Sequence, residues 1–133
     1  MNAVFADTYY YLAILSESDA AHGRAVQLAR DLAGKTVTTA WVLTEVADAL
    51  AAPPLRFLFL ALYERLRNNP NVTIVSPNAA VFEQGIDLYA RRPDKDWSLT
   101  DCISFVVMQE HGLADALTGD HHFEQAGFHV LLK

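Results

Sequence analysis

Short β-prone runs alternate with longer stretches of helical spacing along this chain, and that alternation restricts the fold more than any other feature. The runs are Ala3 to Ala6, Lys35 to Thr39, Val72 to Val75, Ala114 to Thr118 and His129 to Leu132. Between them, helical segments are expected over Thr8 to Leu15, Ala20 to Leu32, Ala40 to Ala51, Leu55 to Leu66, Asn78 to Tyr89 and Leu99 to His111, with a helical turn from Phe123 to Ala126. Strands that follow one another in parallel need a crossover, and a helix supplies it. Strands separated by helices throughout therefore imply a mainly parallel sheet covered on both faces. The expected fold is α/β, a three-layer α/β/α sandwich, with residues 1–133 forming one domain.

The sharpest local signal is Asp96-Trp97-Ser98-Leu99-Thr100-Asp101-Cys102-Ile103-Ser104-Phe105. Ser98 reads as an N-cap, and Asp101 three residues later suits the positive end of the helix dipole. For a lone S-x-x-D, that would account for Asp101. Three further acids give it company. Asp7 closes the first β-prone run, Asp120 follows the fourth, and Glu45 lies on the helix after the second, beside Trp41, Val42 and Ala49. Each has an ordinary reading: a cap for Asp7, a turn for Asp120, a salt bridge at the edge of an apolar stripe for Glu45. In parallel sheets, however, the functional crevice lies outside the carboxyl ends of the strands, where strand order reverses. Carboxylates meeting there repel one another and hold their protons more tightly unless a cation joins them.

Composition limits the alternatives. A net charge of −6 excludes a general nucleic-acid coating protein but leaves metal-mediated phosphate chemistry open. No apolar run reaches the length of a membrane span, and Met1 to Asp7 lacks the basic head and cleavage site of a signal peptide. The single cysteine, Cys102, excludes an intrachain disulfide and suits a reducing cytoplasm, packed rather than reactive. His121 and His122 read as exposed loop residues without zinc-motif spacing. Trp41 suits core packing, and Trp97 suits either packing or base stacking. Arg91, Arg92 and Lys95 form one basic cluster near the acids, for which phosphate contact and a solvated loop fit equally. Asp94 is expected to be solvated and dispensable.

Four segments in order, Phe5-Ala6-Asp7-Thr8, Thr44-Glu45-Val46, Trp97-Ser98-Leu99-Thr100-Asp101-Cys102 and Ala116-Leu117-Thr118-Gly119-Asp120-His121-His122-Phe123, resemble a PIN domain. The chain is most similar to the single-domain toxin ribonucleases of the VapC type, over essentially its whole length and including Phe123, Gly127 and Phe128. The resemblance implies a metal-dependent ribonuclease whose acidic quartet falls on Asp7, Glu45, Asp101 and Asp120, with Asp96 in support. It also implies a dimer sequestered by a small antitoxin protein. It assigns nothing to Gly119, His121 or His122.

Phosphodiester hydrolysis needs a nucleophilic water and relief of charge on the phosphate, and Mg²⁺ or Mn²⁺ held by carboxylates supplies both. Asp7 and Asp101 are expected as principal ligands, Glu45 and Asp120 as their complement, and Thr8, Ser98 and Thr118 as hydrogen-bonding support. Two other readings compete. An α/β phosphatase or phosphotransferase would use Asp7 as nucleophile, but Asp7-Thr8-Tyr9 lacks the second aspartate two residues on. A non-catalytic binding module would carry the acids only as a residue of past function. Finally, Leu55 to Leu66 is apolar nearly all round (Phe57, Leu58, Phe59, Leu60, Leu62, Tyr63), so that helix or Ala40 to Ala51 is expected in a homodimer or an antitoxin groove.

Overall fold

In the computed structural model, which describes residues 3–133, five short strands form one all-parallel sheet. The elements in chain order are β1 Ala3–Ala6, α1 Thr8–Leu15, α2 His22–Asp31, β2 Lys35–Thr39, α3 Ala40–Ala49, a 3₁₀ turn at Pro53–Leu55, α4 Arg56–Asn68, β3 Val72–Val75, α5 Ala79–Arg91, α6 Leu99–Glu110, β4 Asp115–Leu117, α7 His121–Gln125 and β5 His129–Val130. The sheet order is β3-β2-β1-β4-β5. Register is set by Val4 opposite Thr36, Phe5 opposite Val37 and Ala116, and Ala6 opposite Leu117. The order reverses at β1, so the crevice between the ends of β1 and β4 is the switch point of the sheet. Helices cover the sheet in the three-layer arrangement expected of alternating strands and helices.

Local chemistry explains most boundaries. Thr39 ends β2 and caps α3, its Oγ1 accepting the Val42 N–H at 3.1 Å. Asn78 does the same for α5 through Val81 at 2.9 Å. Helix α2 starts at His22, two residues later than Ala20, because Asp19 makes an Asx turn there: its Oδ1 accepts the Ala21 N–H at 2.8 Å. Helix α7 starts at His121, ahead of Phe123, because Asp120 is available to cap it. The last strand is shorter than expected, although Leu131 and Leu132 still donate to the carbonyls of Ala116 and Thr118.

A chain of aromatic contacts ties together the elements that bear the acids. The rings of Phe5 on β1 and Phe123 on α7 are 6.3 Å apart, and Phe123 meets Phe105 on α6 edge-on at 4.9 Å. Phe105 in turn meets Trp97 edge-on at 5.0 Å. Such pairs add about 0.5–1.5 kcal/mol each beyond the burial of their area. Trp97 is thus a core residue and not a platform for bases, while Trp41 is half-buried and stacks on Phe82. Cys102 is fully buried in the same core, and burial pushes its thiol up, consistent with packing.

Helix α4 is among the less covered elements. Leu62 is buried and Leu58 and Phe59 pack partly against the core, but Phe57 and Leu60 are 65 % and 64 % exposed. The outward face is therefore carried by Phe57 and Leu60, while Phe59 stacks on Tyr63. No helix is long and apolar enough to cross a membrane among the described residues.

Helices α5 and α6 approach most closely at Gly85, where a β-carbon would collide with Ile103 Cγ1 and come within 3.3 Å of its Cα. The seat of α6, and with it the position of Asp101, depends on that missing side chain. Gly85→Ala is expected to lower stability by about 1–3 kcal/mol, as overpacking does, despite alanine's better helix propensity. Urea denaturation checks this; an unchanged or raised midpoint would contradict it.

Candidate active site

Asp7 leaves β1 at the switch point, and its backbone N–H still reaches across to the Leu117 carbonyl of β4 at 3.3 Å. It occupies the N-cap position of α1 yet makes no side-chain capping bond. Its carboxylate points instead to β4's end, where the Thr118 hydroxyl donates to Oδ2 at 2.9 Å. The same Thr118 oxygen accepts the Asp120 N–H at 3.1 Å. One buried hydroxyl thus fixes both Asp7 and the turn that carries Asp120.

The other acids are held with equal definition. Glu45 sits midway along α3, and Thr8 Oγ1 donates to its Oε1 at 2.6 Å. Asp101 completes a capping box with Ser98: Ser98 Oγ accepts the Asp101 N–H at 3.0 Å, and Asp101 Oδ2 accepts the Ser98 N–H at 3.1 Å. Asp120 caps α7 through Oδ1 and the His122 N–H at 2.9 Å. All four acids line one cleft of about 370 Å³, together with Thr8, Tyr9, Ser98 and His122, and Asp96 stands exposed on its rim. The structure brings together every acid singled out in the sequence. Thr118 lies behind the cleft as the link between Asp7 and Asp120.

His122 is the member that sequence reasoning missed. It is not an exposed loop residue: its Nδ1 lies 3.0 Å from Asp101 Oδ2 and 3.4 Å from Asp120 Oδ1. A carboxylate only accepts, so Nδ1 carries the proton and donates. The imidazole clips the start of α6 to the turn after β4. The spacing D-x-H on a capped first turn brings the ring back toward its own cap, Asp120, but the contact with Asp101 on α6 has no local signal. His121, by contrast, is exposed, although it and His122 offer nitrogens within 4.8 Å of an Asp120 oxygen. Gly119 also has a local reason: a β-carbon there would lie 2.7 Å from Tyr9 Cζ, whose ring covers the turn at the cleft wall.

The charge in this cleft is poorly compensated. Among its lining residues no lysine or arginine is present, and His122 is the sole basic side chain. Burial first, then the charges of Asp101 and Glu45, raise the Asp7 carboxyl from 3.8 to about 7, against the opposing hydrogen bond from Thr118. Asp101 is raised as well, by burial first and by the charge of Asp120. Loss of water outweighs the mutual repulsion expected from the sequence. Each carboxylate commits one oxygen (Asp7 Oδ2, Glu45 Oε1, Asp101 Oδ2, Asp120 Oδ1), and its second oxygen makes no hydrogen bond to another side chain among the described residues. Four carboxylates lining one cleft are hard oxygen donors of the kind a Mg²⁺- or Mn²⁺-type cation takes, although the atoms within 4.8 Å of one another belong to Asp120, His121 and His122.

Fold and cleft together define an acidic α/β domain, and comparison with known proteins agrees on the fold. The PIN domain model matches residues 4–129, and the chain belongs to that family. It is 28 % identical over 125 residues to the 23S rRNA-specific endonuclease VapC20 of Mycobacterium tuberculosis, covering 94 % of this chain and 95 % of that one, in two strains. The crystal structure of Mycobacterium tuberculosis VapC20, described as a sarcin–ricin loop cleaving toxin, superposes with a TM-score of 0.86 at 27 % identity over 94 % of this chain and 95 % of that one. FitAcB from Neisseria gonorrhoeae shares the fold, with a TM-score of 0.67 at 20 % identity over 96 % of this chain and 95 % of that one.

The Asp7 carboxyl leaves a thermodynamic signature. Between 3.8, its ordinary value, and about 7, the folded state holds a proton that the unfolded chain has released. Stability from this group is therefore lost as pH rises through that window. In metal-free buffer, the advantage in melting temperature of Asp7→Asn over the wild type should grow from about pH 4 to about pH 7 and level off above. A difference that stays flat across the window would show that Asp7 is not held protonated.

Proposed function

We propose that this chain is a metal-dependent endoribonuclease, the toxin member of a toxin–antitoxin pair, in which Asp7, Glu45, Asp101 and Asp120 hold Mg²⁺ or Mn²⁺. The observation that carries this reading is the set of four carboxylates lining one cleft that has no lysine or arginine among its lining residues. A divalent cation bound there lowers the pKa of a coordinated water and offsets charge on the phosphate. The chain's own residues hold the ligands in place: Thr118 orients Asp7, Thr8 orients Glu45, and Ser98 with His122 orients Asp101. Asp96 stands at the rim, where it supports a hydrated cation or a water. Residues 1–133 act as one catalytic unit, in the cytoplasm where RNA is met.

Likeness to the 23S rRNA-specific endonuclease makes structured RNA the substrate class to test first. A phosphatase reading fits less well, because Tyr9 occupies the position where its acid/base aspartate would stand. The experiment incubates the protein with an oligoribonucleotide carrying the sarcin–ricin loop and, separately, with p-nitrophenyl phosphate, with Mg²⁺ or Mn²⁺ and with EDTA. RNA should be cut only with the cation present, and Asp101→Asn should lose about a hundredfold or more while its circular dichroism is unchanged. Asp31→Asn, an exposed acid at the end of α2, serves as control with unchanged activity. Asp94 does not suit that role: it is solvent-exposed but pairs with Arg92 through both oxygens at 3.0 and 2.9 Å. Full cleavage in EDTA, or by Asp101→Asn, would rule the mechanism out.

Association belongs to the same reading. Phe57 and Leu60 face outward on α4, and an apolar groove of about 370 Å³ runs beside it between Leu43, Ala47, Phe59, Tyr63 and Ile74. We assign the outward face of α4 to a homodimer and the groove to the antitoxin. Each large side chain buried there stabilises the complex by about 1.5–3 kcal/mol before association costs. Sedimentation at micromolar concentration should give a dimer that Leu60→Asp converts to monomer. A monomeric wild type would defeat the homodimer.

A further inference from the structure

The acidic cleft continues beyond its carboxylates. Asp96 and Ser98 on its rim are shared with a second, open cleft of about 830 Å³ between the end of α5 and the start of α6, lined also by Tyr89, Arg92, Lys95 and Trp97. The two clefts differ in charge, the first anionic and the second bearing cations.

Each of those residues is placed for a distinct task. The Arg92 guanidinium lies 5.2 Å over the Trp97 ring and is bound through Nε and Nη2 to Asp94. Trp97 is itself fixed, buried against Phe105 and donating from Nε1 to Gln125 at 2.9 Å. Arg92 is therefore mounted on a rigid wall, with Nη1 free of any side-chain partner among the described residues. Lys95, adjacent to rim residue Asp96, makes no ion pair within 4 Å among the described residues. Tyr89 is 55 % exposed on the same cleft and offers a ring face. Pinned arginine, free lysine and open aromatic side by side are what an unpaired nucleic-acid strand needs: cations for consecutive phosphates and a surface on which a base stacks.

The physical need is clear as well. A chain of net charge −6 with four carboxylates at its reacting centre repels a polyanion at long range. Cations beside the centre, rather than within it, attract the strand without displacing the metal ligands. We propose that this second cleft is the track for the unpaired RNA strand next to the cleaved bond, with Lys95 and Arg92 contacting its phosphates and Tyr89 stacking a base. This rests on the ribonuclease reading above and adds to it where the substrate lies.

The test uses the full chain with Mg²⁺ and the sarcin–ricin oligoribonucleotide, following kcat and KM as KCl is varied. Lys95→Gln should raise KM with kcat nearly unchanged and flatten the slope of log(kcat/KM) against log[KCl] by about 0.7, the value for one phosphate contact on a single strand. Lys95→Arg should restore the slope. Tyr89→Ala should raise KM about tenfold at every salt concentration, and Tyr89→Phe should not. Arg24→Gln on α2 removes the same charge far from the cleft and should leave the slope unmoved. Equal effects of Lys95→Gln and Arg24→Gln, or none from either, would overturn the track while leaving the nuclease intact. A wild type that cuts no RNA with either cation would overturn both.

Discussion

A carboxylate withdrawn from water at the end of the central strand is the constraint from which the rest of this structure follows. Asp7 must lie there because β1 is the strand at which the sheet reverses its order, and the sheet is parallel because helices separate all its strands. Once buried, the group needs either a proton or a cation, and the fold supplies one strong donor, Thr118. That donor is also bonded to the next turn, so the immediate neighbour of Asp7 and the position of Asp120 are set by a single hydroxyl. The aromatic contacts from Phe5 through Phe123 and Phe105 to Trp97 then hold β1, α7 and α6 at fixed separation.

Competing readings of one residue turn out to describe one bond. Asp101 is a helix-capping residue, as a lone S-x-x-D would have it, and it is also part of the acidic cleft. The capping box uses Oδ2 and leaves Oδ1 without a side-chain partner among the described residues, so the start of the helix and the placement of the carboxylate are the same event. Asp120 repeats the pattern on α7. Asp7 does not: it stands at a cap position but gives its carboxylate to Thr118 instead of to α1. Here tertiary structure overrides local preference.

Much of the fold was legible because several boundaries are marked by residues with one strong preference. The bounds of β1, α1, β2 and β3 agree with those read from Ala3 to Ala6, Thr8 to Leu15, Lys35 to Thr39 and Val72 to Val75. The bounds of α2, α7 and β5 shifted because an Asx turn, a cap and a bend at Leu131 act over two residues, below the resolution of periodicity. Asp7, Asp101 and Asp120 were legible because they follow strands or open helices, whereas Glu45, midway along α3, stood out only as a charge beside an apolar stripe. His122 was not, because its position depends on how α7 meets α6, a relation no sequence window contains. The same holds for Arg92, whose mount on Trp97 depends on a loop closing over a ring.

The ring of Tyr9 resting on Gly119 has a consequence for how this chain can change over generations. A β-carbon at 119 and the end of the Tyr9 ring would occupy one volume, so a side chain at 119 calls for a smaller ring at 9 or for the exposed ring to swing outward. Change at the turn after β4 is therefore taken up at the first turn of α1, by a new residue or a new rotamer. Two positions far apart in the sequence thus share one stretch of the cleft wall, and its shape depends on both.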